Sequence, residues 1–151
     1  NPQSFHDYKK VLKNKYLKFS LTKKKLSELS ILAKVSQKKK TYNRFLVLPG
    51  THDAKTIYDN LKKKAFDSKT KKTVFFFKFH PKNKIDVSSS KNIKSISSVK
   101  NIKFDAALIS STSTLVYDFI KLKKNFMVYD IDNKQNLISS NLQKKIKFYK
   151  I

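Results

Sequence analysis

The chain has 151 residues, no cysteine and a formal net charge of +25 at neutral pH. Its length suits one domain with a buried core, and its 12 Phe and 7 Tyr argue against a disordered polycation. The absence of cysteine excludes a disulfide framework and a thiolate metal site, and no apolar run approaches the roughly 20 residues that span a bilayer.

Residues 4 to about 40 are predicted to be helical. Apolar side chains recur at spacings of three and four within residues 6–16. A second stripe with this spacing comprises Leu26, Leu29, Ile31, Leu32 and Val35. The charged and polar residues that follow predict a connector. We therefore expect residues 1–41 to be a helical lead-in and residues 42–151 to be the main domain.

From residue 44 onward, short apolar runs alternate with helical patterns. Strands are predicted at 45–48, 73–79, 93–96, 106–109 and 126–129. Helices are predicted after a cap at Thr51 or Asp53, over 115–122 and over 136–148. Strands this apolar cannot expose a face, which favours a parallel sheet covered by helices on both sides. The expected fold class is α/β, a Rossmann-like doubly wound sheet of about five strands preceded by N-terminal helices.

Polar segments follow three of the predicted strands. Residues 49–52 follow the first strand, His80-Pro81 follows the second, and five consecutive hydroxyl residues, 110–114, follow the fourth. Ligands of doubly wound sheets bind beyond the carboxyl ends of the strands. The three segments are therefore predicted to meet at one edge and to form a ligand site.

The hydroxyl run joins a predicted strand to a predicted helix. Free N–H groups, the helix dipole and the hydroxyl donors favour a bound phosphate, although one residue of the run can simply cap the helix. Five hydroxyl residues exceed what a cap needs, so the binding interpretation is preferred. Asp118 lies one turn after Thr114 and can accept hydrogen bonds from ribose hydroxyls. Taken by itself, an acid in a first helical turn is more simply explained by the helix dipole.

His80 is held at a strand end, because Pro81 disfavours helix and cannot continue a ladder. Its imidazole can donate to a phosphate or ribose oxygen, but a lone histidine is more often structural. Lys78 is a second phosphate candidate, although strand alternation can place it on the other face of the sheet. His6, His52 and His80 share no ligand spacing, so no metal site is expected. A single glycine in the chain excludes Walker, GxGxxG and GxSxG motifs.

The basic charge has three explanations. Of 35 basic residues only Arg44 is arginine, the residue that bidentate phosphate and base readout favours. Codon drift in an A+T-rich genome ranks first, a general attraction to anionic membrane or nucleotide second, and specific nucleic-acid binding last.

Two segments carry a family resemblance. Residues 77–82 (FKFHPK) and 104–119 (FDAALISSTSTLVYDF) resemble the C-terminal domain of GT-B glycosyltransferases of the bacterial surface-polysaccharide type. The most similar groups are the polysialyltransferase-like, Kdo-transferase-like and CDP-glycerol glycerophosphotransferase-like enzymes. The resemblance implies nucleotide binding by His80, Pro81, Ser111, Thr112, Ser113, Thr114 and Asp118. Gly50, Thr51 and Lys78, which follow the first two strands, are further candidates for contact with the donor.

The resemblance implies the donor-nucleotide-binding half of a glycosyltransferase or glycerophosphotransferase that uses a CMP- or CDP-activated donor and no cofactor. The expected partners are a glycan or lipid-linked acceptor and an N-terminal domain that supplies the catalytic base, so no catalytic residue is assigned here. Residues 1–7 are similar to the stretch where such enzymes enter their second domain, and we expect the chain to be an incomplete part of the enzyme. The expected location is cytoplasmic, including the inner face of the plasma membrane. The family's other loop glycines are missing, which leaves Gly50 as the one position for close backbone approach.

Two other classes stay open. One is a UDP-sugar 2-epimerase-like enzyme of the same fold. The other is a non-enzymatic basic module that binds nucleic acid or anionic membrane.

Overall fold

The computed structural model describes residues 30–37, 41–65, 72–80, 82–83, 85–86, 90–129, 131, 138, 140–144 and 146–149. Residues 30–33 are helical. The elements that follow are β1 (Arg44–Leu48), α1 (Ala54–Ala65), β2 (Val74–Phe77), β3 (Ile93–Ser95), β4 (Ala106–Ser110), α2 (Leu115–Lys121), β5 (Phe126–Tyr129), α3 (Ser140–Gln143) and β6 (Phe148–Tyr149). Pro81 and the predicted helix over residues 6–16 lie outside the described residues.

The six strands form one parallel sheet in the order β3-β2-β1-β4-β5-β6. Val47 of β1 pairs with Phe77 of β2 on one side and with Leu108 of β4 on the other. The chain builds outward from β1 to β3 and then crosses over to β4 on the opposite side of β1, so the strand order reverses between β1 and β4. This topology confirms the expected α/β, Rossmann-like fold class.

Alternating strand residues pack on opposite faces of the sheet. Phe45 and Val47 belong to the core cluster that contains the α1 residues Ile57 and Leu61. Leu46 belongs to the other core cluster. That cluster also contains residues of α2 and of the segment 30–35: Val116, Phe119, Ile31, Leu32 and Val35. Both faces are therefore buried, which explains why the strands carry few polar residues.

Two predicted boundaries are wrong. The N-terminal helical pattern ends at residue 33 rather than near 40, because Val35 forms a parallel bridge with Phe104 and its flanking backbone groups bond to that residue. Within the predicted helix over 136–148, the residues that the structure describes form a single turn, α3, followed by β6. The N–H of Val128 donates to the Lys147 carbonyl at 2.9 Å, so the last segment pairs with the open edge of β5. An aromatic pair such as Phe148-Tyr149 suits an edge strand as well as it suits an amphipathic helix.

Across the described ranges, none of the helices combines the length and the apolar character that crossing a membrane requires.

Candidate functional site

Three chain segments meet at the carboxyl edge of the sheet. We call them the β1 corner (residues 49–53), the β2 corner (78–80 and 82–83) and the β4 corner (111–114). Because neighbouring strands lie about 4.8 Å apart, the β2 and β4 corners flank the β1 corner at a separation of roughly 10 Å. The structure thus brings the predicted polar segments to one edge, at the point where the strand order reverses.

A buried carboxylate links the β1 corner to the end of β4. Asp53 is 2% exposed and accepts the Gly50 N–H at 2.6 Å and the hydroxyl of Ser110, which is itself fully buried. The Ser110 oxygen accepts the Thr112 N–H at 3.1 Å and lies 2.8 Å from Thr112 Oγ1. The result is a chain of hydroxyl groups that runs from half-buried Thr112 through Ser110 to Asp53.

The direction of these hydrogen bonds sets what Thr112 offers to a ligand. A carboxylate only accepts, so the single hydroxyl proton of Ser110 is committed to Asp53. The contact between the two hydroxyl oxygens then requires the proton of Thr112 Oγ1 to point at Ser110. Thr112 therefore presents lone pairs rather than a proton. The hydroxyls of the run were expected to add donors, and this hydrogen-bond assignment makes Thr112 an acceptor toward a ligand.

The expected free N–H groups of the β4 corner are largely occupied. The N–H of Ser111 donates to the Tyr129 carbonyl at 3.0 Å, that of Ser113 to the Ser110 carbonyl at 3.0 Å, and that of Leu115 to Ser113 Oγ at 3.3 Å. The N-cap residue Thr114 is exposed and makes no side-chain capping hydrogen bond. Within the run, Ser113 is therefore the residue whose hydroxyl accepts a hydrogen bond from the first turn of the helix, and the Thr114 hydroxyl lies at the surface.

Gly50, the single glycine of the chain, lies against the β4 corner. A Cβ at this position would be 2.5 Å from Thr112 Oγ1 and 3.2 Å from both Asp53 Oδ2 and Ser110 Oγ. No real Cβ tolerates the first of these distances without movement of its neighbour. The glycine is required here by the approach of two protein segments to each other.

The β2 corner is a turn tied to the β1 corner. The His80 carbonyl accepts the Asn83 N–H at 2.9 Å, and Asn83 Nδ2 donates to the Thr51 carbonyl at 2.6 Å. His80 Nδ1 accepts the Lys82 N–H at 3.2 Å, which assigns the proton of a neutral imidazole to Nε2. His80 is half-buried, so Nε2–H is its donor for any outside group.

Two further predicted residues are Lys78 and Asp118. Lys78 Nζ donates to the Ser97 carbonyl at 3.1 Å, so the ammonium turns toward the segment after β3 and away from the β1 corner. Asp118 lies half-buried on α2, where its main-chain carbonyl accepts the Leu122 N–H.

Sequence reasoning missed Asp53 as a site residue and considered it only as a helix cap. Its carbonyl does start α1 by accepting the Ile57 N–H at 3.0 Å. Its side chain, however, binds Ser110, a residue 57 positions away in the chain. The sequence did contain a signal for Asp53. It is an acid in the polar segment that follows a strand, and the other candidate site residues were identified from the same position after a strand.

No group of three His, Cys, Asp or Glu side chains that could hold a metal ion occurs among the residues the structure describes. One tyrosine, at the β5–β6 side of the sheet, has a shifted pKa. Burial raises the pKa of Tyr149 above its usual value, and the neighbouring Tyr129 acts in the same direction. Tyr129 accepts a hydrogen bond from Asn60 Nδ2 at 2.7 Å.

The chain matches no family model, no curated protein and no solved structure. The fold and the corners therefore define a class, a Rossmann-like α/β domain with polar groups gathered at the strand-order reversal. The glycosyltransferase resemblance rests on the two sequence segments that carry it.

Proposed function

We propose that the chain binds the nucleotide of an activated donor across its three corners, as the donor-binding half of a glycosyltransferase or glycerophosphotransferase. One observation carries the proposal. The strand order reverses between β1 and β4, and Gly50, Asp53 and Thr112 come together at that point. Crevices at such reversals are where doubly wound sheets bind nucleotides.

The polarity of the corners suggests how the ligand lies. Thr112 offers an acceptor backed by the Asp53 carboxylate, so the β1–β4 junction suits a ribose or sugar hydroxyl and repels a phosphate. The β2 corner offers the opposite chemistry, because His80 Nε2–H donates and the neighbouring Lys82 is exposed. We therefore propose that the phosphates lie beside His80, with the Thr114 hydroxyl as a further donor across the crevice.

In the transfer step, negative charge develops on the leaving nucleotide phosphate. A fixed donor such as His80 stabilises that charge electrostatically, and the stabilisation is greatest where the group is already oriented. A CMP- or CDP-linked donor is the substrate class that the resemblance favours. The acceptor hydroxyl and the base that activates it are assigned to a partner domain and not to residues of this chain.

Titration calorimetry with CMP, CDP and UDP tests the proposal. His80→Ala is expected to weaken CMP and CDP binding by at least about tenfold, because a hydrogen bond to a charged group contributes roughly 1.5–3 kcal/mol. Thr112→Val removes the acceptor at the β1–β4 junction and is expected to weaken binding several-fold. Thr73→Val is the matched control, since Thr73 precedes β2 and lies at the opposite edge of the sheet.

The proposal fails if none of the three nucleotides binds, or if Thr73→Val weakens binding as much as Thr112→Val. Preferential binding of UDP would instead favour the 2-epimerase-like alternative. Product analysis with a UDP-sugar then separates the two enzymes, because an epimerase returns a changed sugar without needing an acceptor.

A further inference from the structure

The exposed basic residues of the sheet are concentrated at its amino edge. Five strands are preceded, within three residues, by an exposed lysine, and β1 begins with exposed Arg44. We call these residues the amino-edge patch: Arg44, Lys72, Lys91, Lys103, Lys123 and Lys147. Within three residues after each strand, the described chain contains a single lysine, Lys78, and its ammonium is bonded to a carbonyl.

The helices add charge to the same edge. α1 and α2 run back from the carboxyl edge to the amino edge, so their basic last turns lie beside the patch, with Lys62, Lys63 and Lys64 on α1 and Lys121 on α2. Asp105 is a described acid beside the patch; it is 5% exposed and accepts the N–H groups of Asn43 and Arg44. The strand spacing gives the patch a width of about 24 Å with little to neutralise it.

An apolar tip lies within this charge. Leu122 is 39% exposed and is the one exposed large hydrophobic side chain in the described part of the chain. It is the C-cap of α2 and stands between Lys121 and Lys123. Lys123 has a positive φ of 50°, so the chain turns sharply here and presents Leu122 at the corner.

These features favour one kind of partner. Codon drift alone predicts no preference between the two edges, whereas most of the exposed lysines among the described residues lie at the amino edge, and Lys55 and Lys82 lie on the carboxyl side. Base stacking requires exposed aromatic rings, and the described residues of this edge include none. An exposed leucine between two lysines, beside further clustered lysines, combines the two contributions that hold a protein at an anionic bilayer surface, which are apolar insertion and attraction of basic residues to anionic lipid.

We propose that the amino edge docks on a membrane containing anionic lipid, with Leu122 inserted among the headgroups and the patch lysines contacting their negative charges. The proposal goes beyond nucleotide binding, because it uses no residue of the three corners. It also sets the orientation of the domain, with the carboxyl edge facing away from the lipid.

Co-sedimentation with phosphatidylcholine vesicles, with and without phosphatidylserine, tests the charge. The variant Lys72→Gln/Lys103→Gln is compared with Lys55→Gln/Lys82→Gln, which has the same net charge but changes exposed lysines outside the patch. Each lysine near an anionic surface contributes about 1 kcal/mol, or roughly fivefold in binding. The patch variant is therefore expected to lose more than tenfold in affinity for phosphatidylserine vesicles, and the control no more than a few-fold.

A fluorescent probe tests the insertion. The chain has no tryptophan, so Leu122→Trp introduces a single reporter. Its emission is expected to shift to the blue on addition of phosphatidylserine vesicles. The same residue introduced at the exposed carboxyl-edge position, by Thr114→Trp, is expected to give no shift.

Equal losses of vesicle affinity in the two double variants would overturn the proposal, because vesicle binding would then depend on net charge alone and not on the position of the lysines. A blue shift from Thr114→Trp would overturn the orientation. Retention by single-stranded RNA that the patch variant loses, without vesicle binding, would assign the patch to nucleic acid instead. The nucleotide titrations are independent of all these outcomes, so the two proposals can fail separately.

Discussion

The carboxyl and amino edges of the parallel sheet use polar side chains in different ways. At the carboxyl edge, Asp53, Ser110 and Thr112 bond to one another and His80 is fixed in a turn. At the amino edge, the lysines stand exposed in front of the strands. A uniformly basic composition is thus sorted by the fold into one edge with fixed hydrogen-bonding geometry and one edge with diffuse charge. The first suits recognition of a particular ligand, and the second suits attraction to a surface.

Each edge also contains one buried aspartate, and the pair allows the sharpest test of this difference. Asp53 accepts the Gly50 N–H and the Ser110 hydroxyl, whereas Asp105 accepts two backbone N–H groups at the start of β1. We expect Asp53→Ala and Asp105→Ala each to lower the free energy of unfolding by about 2–4 kcal/mol, because two donors lose their acceptor.

Urea denaturation measures this loss, and Asp59→Ala on the exposed face of α1 is the control, with an expected change within about 0.5 kcal/mol. The milder variants Asp53→Asn and Asp105→Asn then show which edge binds nucleotide, with the affinity measured by titration calorimetry. Only the first is expected to weaken nucleotide binding. If both weaken it equally, the carboxyl edge has no special role.

The second test concerns the contact between the β1 and β4 corners. Gly50→Ala is expected to cost about 1–3 kcal/mol of stability, because the new Cβ would meet Thr112 Oγ1 at 2.5 Å. In a Thr112→Ala background the same change is expected to cost less than about 1 kcal/mol, since the clashing oxygen is gone. A Thr73→Ala background should leave the cost unchanged. Additive costs in both backgrounds would contradict the close approach of the two corners.

The smallest expected effect separates capping from binding within the hydroxyl run. Thr114→Ala is expected to change stability by no more than about 0.5 kcal/mol, because its side chain caps nothing, whereas an N-cap hydroxyl usually contributes about 1 kcal/mol. Thermal unfolding measures the stability, and CMP titration of the same variant is expected to show weakened binding. A stability loss above 1 kcal/mol with unchanged CMP binding would restore the cap as the role of Thr114.

Much of the fold could be predicted because its signals are local. Strands such as β2 are recognisable as continuous apolar runs, and the apolar residues of α1 recur with helical spacing. The fold class follows from the alternation of these two patterns. The last segment could not be assigned in this way. Phe148 and Tyr149 suit both periodicities, and the open edge of β5 decides between them by supplying backbone partners.

The candidate site, too, has features that could be predicted from the sequence and features that could not. The linear pattern puts hydroxyls, an imidazole and a lone glycine directly after strands, and parallel strands bring their carboxyl ends to one edge. The burial of Asp53 against Ser110, the hydrogen bond between Thr112 and Ser110, and the close approach of Gly50 to Thr112 arise only in the folded chain. The physical reason is that hydrogen-bond direction and burial depend on partners more than fifty residues away. The partition of lysines to the amino edge is likewise a property of strand direction, which a linear pattern does not contain.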